Sequence, residues 1–212
     1  MPATQLSLRP DARHDARHDG RTAEILALVR VAFAEKGFDG ASMQDLARAA
    51  GMSVGNFYRY FPSKAAIVQG LIDQDLAEME ADFLTVLQSP APMEGLRSLM
   101  QARLDDHRTR EDGQLWAEIT AAAQRKPEIG QAACDMETQI ASYLTRIFAA
   151  ETGLSEAEIT NRFPAHAAFA ITLFKSAAML PPTVEPIRTD LIALIQRAID
   201  TTMSDILAAR KA

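Results

Sequence analysis

The stretch SMQDLARAAGMSVGNFYRYF, residues 42–61, decides the fold: it reads as two short helices joined by a three-residue turn, with a third helix start directly after it. Ser42 is positioned to cap the first helix, whose apolar Met43, Leu46, Ala47 and Ala50 recur at i, i+3, i+4 and i+7. Asp45, three residues beyond Ser42, approximates a capping box. Gly51 stops that helix and Ser53 caps the next. In the second helix Val54, Phe57, Tyr58 and Phe61 are expected to pack inward, which leaves Gly55, Asn56, Arg59 and Tyr60 facing outward.

Upstream, helical periodicity begins at Arg21. Ile25, Leu28, Val29, Ala32 and Phe33 trace one stripe, and Gly37 ends it after Lys36. This helix braces the two that follow, so residues 21–66 read as a three-helix head with the helix-turn-helix at about 42–61. Residues 1–20 carry a tandem ARHD repeat, at 12–15 and 16–19, without apolar periodicity, and read as a flexible arm. His14 and His18 lie four apart there, but no third ligand accompanies them, so no metal site is assigned.

Downstream, Pro62 ends the preceding helix and Ser63 caps a long one reaching about Gln88, with Ile67, Leu71, Ile72, Leu76, Met79 and Phe83 on its buried face. Ser89-Pro90-Ala91-Pro92 breaks it, and Met93, Leu96, Leu99, Met100 and Leu104 mark the next helix. Glu111-Asp112-Gly113 reads as a loop before a helix through Leu115, Trp116 and Ile119. Pro127 opens a long helix that Gly153 closes, and Ser155 with Glu158 forms a capping box for a short one. From Pro164 the chain is apolar nearly all round until Pro181-Pro182, with Lys175 its only formal charge, and a last helix runs from about Pro186 to Arg210. No segment alternates as a strand would. The fold expected is all-α, about nine helices, with a larger helical domain over residues 67–212 behind the head.

At 212 residues and 48% hydrophobic, the chain can bury a sizeable core, which excludes disorder throughout. The single cysteine, Cys134, permits no intrachain disulfide; with no apolar run of membrane-spanning length and no signal-peptide core at the amino terminus, a cytoplasmic protein without a membrane partner is expected. Net charge is −6, but it is divided unevenly. Residues 1–64 hold nine Lys or Arg against seven Asp or Glu, and the remainder thirteen against twenty-one. An acidic body behind a mildly basic head lets only the head approach phosphates.

An α-helix fits the DNA major groove, where base edges present distinguishable donors, acceptors and methyl groups, so a binding module needs one helix held outward by others. Residues 54–60 suit that role. Gly55 allows close backbone approach, Asn56 offers a donor and an acceptor together, and the amides around Ser53 and Ser63 attract phosphate. Tyr58, Arg59, Tyr60 and Lys64 add hydroxyl and cationic partners.

The pattern FAEKGFDGASMQDLARAAGMSVGNFYRYFPSKAAIV, and above all its aromatic-rich end from Phe57 to Lys64, resembles the TetR family of bacterial transcriptional regulators, over about residues 21–71. The resemblance implies that Ser42, Tyr58, Tyr60 and Lys64 touch phosphates, and that Met43, Gln44, Val54, Gly55 and Asn56 lie over bases. Asn56 stands where a smaller Thr or Ala is common in that family.

One recognition helix covers few base pairs, so stable specific binding calls for a homodimer that sets two heads a helical turn or more apart on a double-stranded operator. The wide apolar faces of the last two helices make Phe169, Leu173, Ala177, Leu191, Ile195 and Ile199 candidates for that interface. The resemblance further implies an unidentified small-molecule effector, with Met79, Phe83, Met100, Leu104 and Trp116 as candidate lining, joined by Ile119, Tyr143, Phe169 and Phe174. Taken singly, each of these is also an ordinary core residue. No HExxH, Gly-rich phosphate loop or Cys/His cluster occurs, so neither an enzyme nor a cofactor is expected. The function expected is a ligand-responsive transcriptional regulator, by the family's habit a repressor; the rival reading is a helical DNA-binding or protein-interaction module without an effector.

Overall fold

The computed structural model describes residues 10–209, in which ten α-helices and one 3₁₀ segment are found and no strand. The helices are α1 (Pro10–Lys36), α2 (Met43–Ala49), α3 (Val54–Tyr60), α4 (Lys64–Leu87), α5 (Pro92–Asp105), α6 (His107–Ala123), α7 (Pro127–Thr152), α8 (Glu156–Arg162), α9 (His166–Ala178) and α10 (Arg188–Leu207), with the 3₁₀ segment at Pro182–Ile187. The chain forms two compact units, residues 1–70 and 71–212.

In the first unit, α1, α2, α3 and the start of α4 enclose Ile25, Val29, Phe33, Leu46, Phe57 and Ile67, each wholly buried. Phe33 stacks on Phe38 with ring centroids 5.4 Å apart, and Phe57 meets Phe61 at 5.8 Å. Each such ring removed from water is worth ~2 to 3 kcal/mol, which holds helices too short to stand alone. Gly70 belongs to this packing, because a Cβ there would lie 3.2 Å from the Phe61 ring and 3.4 Å from Leu26.

Two readings of the head are corrected. The stripe on α1 holds Ile25, Leu26, Val29, Ala32 and Phe33, while Leu28 lies exposed beside Val31. The helix also begins at Pro10, not Arg21, so the flexible arm assigned to residues 1–20 is helical from Pro10 onward; its first nine residues lie outside the described ones. A polar stretch can be helical here because α1 is already nucleated further along, and extending a helix costs far less than starting one; Pro10 suits the first turn.

The second unit buries Phe83, Met93, Leu96, Leu144, Ile147 and Phe148 together with Ile199, Met203 and Ile206 of α10. Ala91 supplies no side-chain cap to α5; instead Glu151 of α7 accepts a hydrogen bond from the Met93 N–H at 3.2 Å. Gly153, at φ +72°, ends α7, and Ser155 with Glu158 forms the expected capping box on α8. The loop expected at Glu111-Asp112-Gly113 is instead part of α6. A Cβ on Gly113 would sit 2.3 Å from the Ala178 carbonyl oxygen, so this glycine serves a close approach of α6 to α9 rather than a break.

Candidate functional site

The helix-turn-helix is built by reciprocal local bonds. The Asp45 N–H donates to Ser42 Oγ at 3.1 Å, and the Ser42 N–H donates back to the Asp45 carboxylate at 3.0 Å, which closes the capping box on α2. The Ser42 hydroxyl donates to the same carboxylate oxygen. Lys36 Nζ donates to the other oxygen of Asp45 at 2.6 Å, tying the end of α1 to the start of α2. Asp45 is therefore held well below the usual carboxylate range, first by the Lys36 hydrogen bond and then by Ser42.

Gly51 adopts φ +65°, a conformation that costs glycine least, and its N–H returns to the Arg48 carbonyl at 3.0 Å while that of Met52 returns to Ala47 at 2.9 Å. Ser53 then caps α3, its hydroxyl accepting from the Asn56 N–H at 3.3 Å. Along α3 only Phe57 is buried; Gly55, Asn56 and Arg59 are exposed, and Tyr60 is half-buried. Val54 and Tyr58, expected inward, are 37% and 46% exposed. The reason is the shortness of α3: one turn beyond the cap brings only Phe57 over the core, and Phe61, 4% exposed, closes it from the residue after the helix. Ser42, Gln44 and Ser53 are also exposed, with Met43 half-buried.

Lys64 is engaged within the unit. Its ammonium donates to the carbonyls of Phe38 and Asp39, at 2.7 and 3.2 Å, and stands 5.3 Å from the centre of the Phe38 ring. The side chain thus satisfies the turn between α1 and α2. Its spacing from Phe38, 26 residues earlier, gave no local signal of that contact.

In the second unit a cavity of about 220 Å³ opens among the helices. Met79, Phe83, Met100, Trp116, Ile119 and Phe174 line it. Leu104 and Tyr143 do not: both are buried, Tyr143 stacked on Phe83 with centroids 5.1 Å apart. Phe169 does not either, being 48% exposed on α9. The lining also contains Met136 and Met179, and charged residues that the apolar stripes did not flag. The spacing of Asp75, Glu78 and Asp82 at i, i+3 and i+7, one position from Met79 and Phe83, is the signal by which three of them could have been found.

Of the proposed interface residues on α9 and α10, Ala177 and Ile199 are buried in the unit's own packing, and Leu173, Leu191 and Ile195 are partly buried. Exposed instead are Phe169, Ile187 at 57% and Leu194 at 54%. On α9 the exposed Thr172 and Ser176 turn their hydroxyls onto the carbonyls of Ala168 and Thr172, at 2.8 and 2.9 Å. That face can be covered without stranding a hydroxyl donor.

Among the described residues no group of three or more His, Cys, Asp or Glu is arranged to hold a metal ion, and no single helix is long and apolar enough to cross a membrane.

Residues 25–71 match the sequence model for the tetR family of bacterial regulatory proteins. The HTH-type transcriptional regulator EthR of Mycolicibacterium smegmatis is 39% identical over 69 residues, 32% of this chain and 32% of its own length. The HTH-type transcriptional repressor KstR2 of Mycobacterium tuberculosis is 33% identical over 86 residues, 40% of this chain and 43% of its own. The chain thus spans less than half the length of these curated relatives. In fold the likeness is wider: the solved structure of Salmonella enterica GusR superposes with a TM-score of 0.68 over 87% of this chain and 96% of its own, at 22% identity. Residues 25–71 thus carry the sequence pattern of the tetR family of bacterial regulatory proteins, and the described residues have the all-helical fold of the solved GusR structure.

Proposed function

We propose that the chain is a dimeric, ligand-responsive transcriptional repressor of the cytoplasm, which grips a pseudo-palindromic operator through α3 and releases it when a small molecule occupies the cavity of the second unit. The observation that carries the reading is the face of α3, where Val54, Gly55, Asn56, Tyr58 and Arg59 stand exposed over a single buried anchor, Phe57. An exposed Val and Tyr cost solubility in an isolated module and are accounted for by a partner surface. Val54, Gly55 and Asn56, with Met43 and Gln44 from α2, are assigned to base edges. Ser42, Ser53, Tyr58, Tyr60 and Lys64 are assigned to phosphates. For Ser42 the contact requires its hydroxyl to leave Asp45, and for Lys64 it falls to whatever donor capacity the Phe38 and Asp39 carbonyls leave.

Dimerisation is supported by the apolar side chains left uncovered on α9, the 3₁₀ segment and α10: Phe169, Ile187 and Leu194, flanked by Leu173, Leu191 and Ile195. These replace Ala177 and Ile199 in the assignment. The effector step rests on linkage: a ligand that binds the operator-free form better by ~3 kcal/mol lowers operator affinity more than a hundredfold. The α4 helix, which begins in the first unit and continues through residues of the second, is the covalent element common to both.

The test is a fluorescence-anisotropy titration against the duplex upstream of the chain's own gene, run at several salt concentrations beside sedimentation of the free protein. Sequence-preferring, salt-sensitive binding by a dimer is expected, and Leu194→Glu should yield a monomer with much weakened operator affinity. Binding indifferent to sequence, or a monomer with full affinity, rejects the proposal.

A further inference from the structure

One hydroxyl in the cavity of the second unit is poorly satisfied by its surroundings. Threonines inside these helices turn their hydroxyls back onto the carbonyl four residues earlier, as Thr85, Thr138, Thr152 and Thr202 do at 2.7 to 3.0 Å. Thr120, on α6 and part of the cavity lining, instead directs its hydroxyl across to Met179 Sδ at the end of α9, at 4.0 Å. A thioether is a weak acceptor, and at that length it uses little of what the donor can give. The placement follows from packing. Gly113, Trp116 and Thr120 recur at i, i+3 and i+7 along α6, and Gly113, lacking a Cβ, lets that side of the helix come against the Ala178 backbone next to Met179.

The charged groups of the lining are, by contrast, all taken. Arg103 pairs with Asp82 and Lys175 with Glu137, while Asp75, Glu78 and Asp112 have partners of their own. A ligand bearing a formal charge would be desolvated here and could find a counter-charge only by displacing an existing partner. The rest of the wall is apolar and soft: Phe83, Trp116 and Phe174 offer aromatic faces, and Met79, Met100 and Met136 supply thioethers that adapt to an irregular body. At about 220 Å³ the space falls below the ~300 to 1,000 Å³ usual for drug-sized ligands, which favours a body of one or two rings.

We propose that this cavity takes a compact, uncharged aromatic molecule carrying an oxygen acceptor, such as an aryl ketone, and that this oxygen replaces Met179 Sδ as the partner of the Thr120 hydroxyl. Thr120 is then the residue that fixes the orientation of the ligand and selects for the acceptor. The proposal rests on the reading of the cavity as the effector site and names the chemical class of that effector.

Four probes on one naphthalene body test it on the full chain: 2-acetylnaphthalene, its isostere 2-isopropenylnaphthalene, in which a methylene replaces the carbonyl oxygen, the anion 2-naphthoate and the cation 1-(2-naphthyl)ethylammonium. Affinity is measured by calorimetry, with the emission of Trp116, the only tryptophan of the chain and part of the wall, as the local reporter. The ketone is expected to bind about 5-fold more tightly than the alkene, and both ions at least ~10-fold more weakly than the ketone. In Thr120→Val, which keeps the shape and removes the hydroxyl, ketone and alkene should bind within about twofold of each other, and Thr120→Ser should restore the preference. Because each comparison is made between two probes on the same protein, a general loss of stability in a variant does not imitate the result.

A ketone no tighter than the alkene on the wild type, or a preference that survives Thr120→Val, overturns the proposal, as does either ion binding as tightly as the ketone. Operator release is read separately, by anisotropy of the labelled duplex with and without the bound probe, so these outcomes leave the effector reading standing. If none of the four evolves heat or alters Trp116 emission, the proposal falls whatever the operator titration returns. A ketone that binds as expected but leaves operator affinity unchanged upholds the chemistry of the cavity and rejects the effector reading alone.

Discussion

Replacing Gly113 by alanine sets local propensity against tertiary packing, and the two predict opposite signs. In an isolated helix Gly→Ala is stabilising by ~1 kcal/mol, because alanine loses less backbone entropy. In this fold the new Cβ would lie 2.3 Å from the Ala178 carbonyl oxygen, 3.2 Å from its carbon and 3.5 Å from the Met179 Cα. Restoring ordinary contact requires α6 and α9 to part by about 1 Å, and the obstacle is backbone, which no rotamer change relieves. Overpacking of this kind costs ~1 to 3 kcal/mol, so after the propensity gain a net loss of up to ~2 kcal/mol is expected. Gly55→Ala is the control: it lies in α3 with nothing within 4 Å of its Cβ position, and should be neutral or stabilising by up to ~1 kcal/mol. Urea denaturation followed by circular dichroism reads both. Because Met179 lines the cavity, Gly113→Ala should also change ligand affinity. A midpoint for Gly113→Ala equal to or above that of the wild type refutes the close-approach argument.

Asn56→Ala should shift operator preference by ~1 to 3 kcal/mol at the contacted base pair while leaving the melting temperature unchanged, as measured by binding to a set of singly substituted duplexes. Lys64→Ala should lower stability by about 1 kcal/mol, since two turn carbonyls lose their donor, besides lowering the salt slope of operator binding by about one; a salt-slope change with unaltered stability would remove the turn-clamping role. The depressed ionisation of Asp45 sets a direction with pH. Its contribution is complete above the unfolded carboxylate value of ~4 and is lost as pH falls toward the lower value in the fold, so Asp45→Asn should flatten the acid limb of stability below about pH 4. Urea midpoints collected across that limb check it, and an acid limb equally steep in the variant would count against the Lys36–Asp45–Ser42 network.

Caps and stops were legible because they are local. Ser42 with Asp45, Ser53, Gly51, and Ser155 with Glu158 act on backbone groups two to four residues away, so their spacing alone specifies the bond. Gly113 was misread for the converse reason: glycine is a breaker in local terms, and only the Ala178 backbone explains why one is tolerated inside α6. Tyr58 and Val54 were misjudged because hydrophobicity states a preference for burial without saying how much core a seven-residue helix can reach. Within the cavity, Met79, Phe83, Met100, Trp116, Ile119 and Phe174 were legible as apolar positions on long helices, whereas Leu104, Tyr143 and Phe169, equally apolar, went elsewhere. Ala177 and Ile199 turned inward while Ile187 and Leu194 stayed out, a distinction that a broad apolar stripe does not contain.

Read as sequence, the chain determines the caps and stops at Ser42, Gly51, Ser53, Gly153 and Ser155, the helix-turn-helix and the split between a mildly basic head and an acidic body, because each depends on neighbours along the backbone or on plain counts. Tertiary structure alone decided that Glu151 would cap α5 from 58 residues away, that Lys64 would serve the turn at Phe38, and that carboxylates from α4, α6 and α7 would gather around one apolar cavity. Helical periodicity defines which face of a helix is apolar but not what meets it; that is settled when many side chains compete for one close-packed interior.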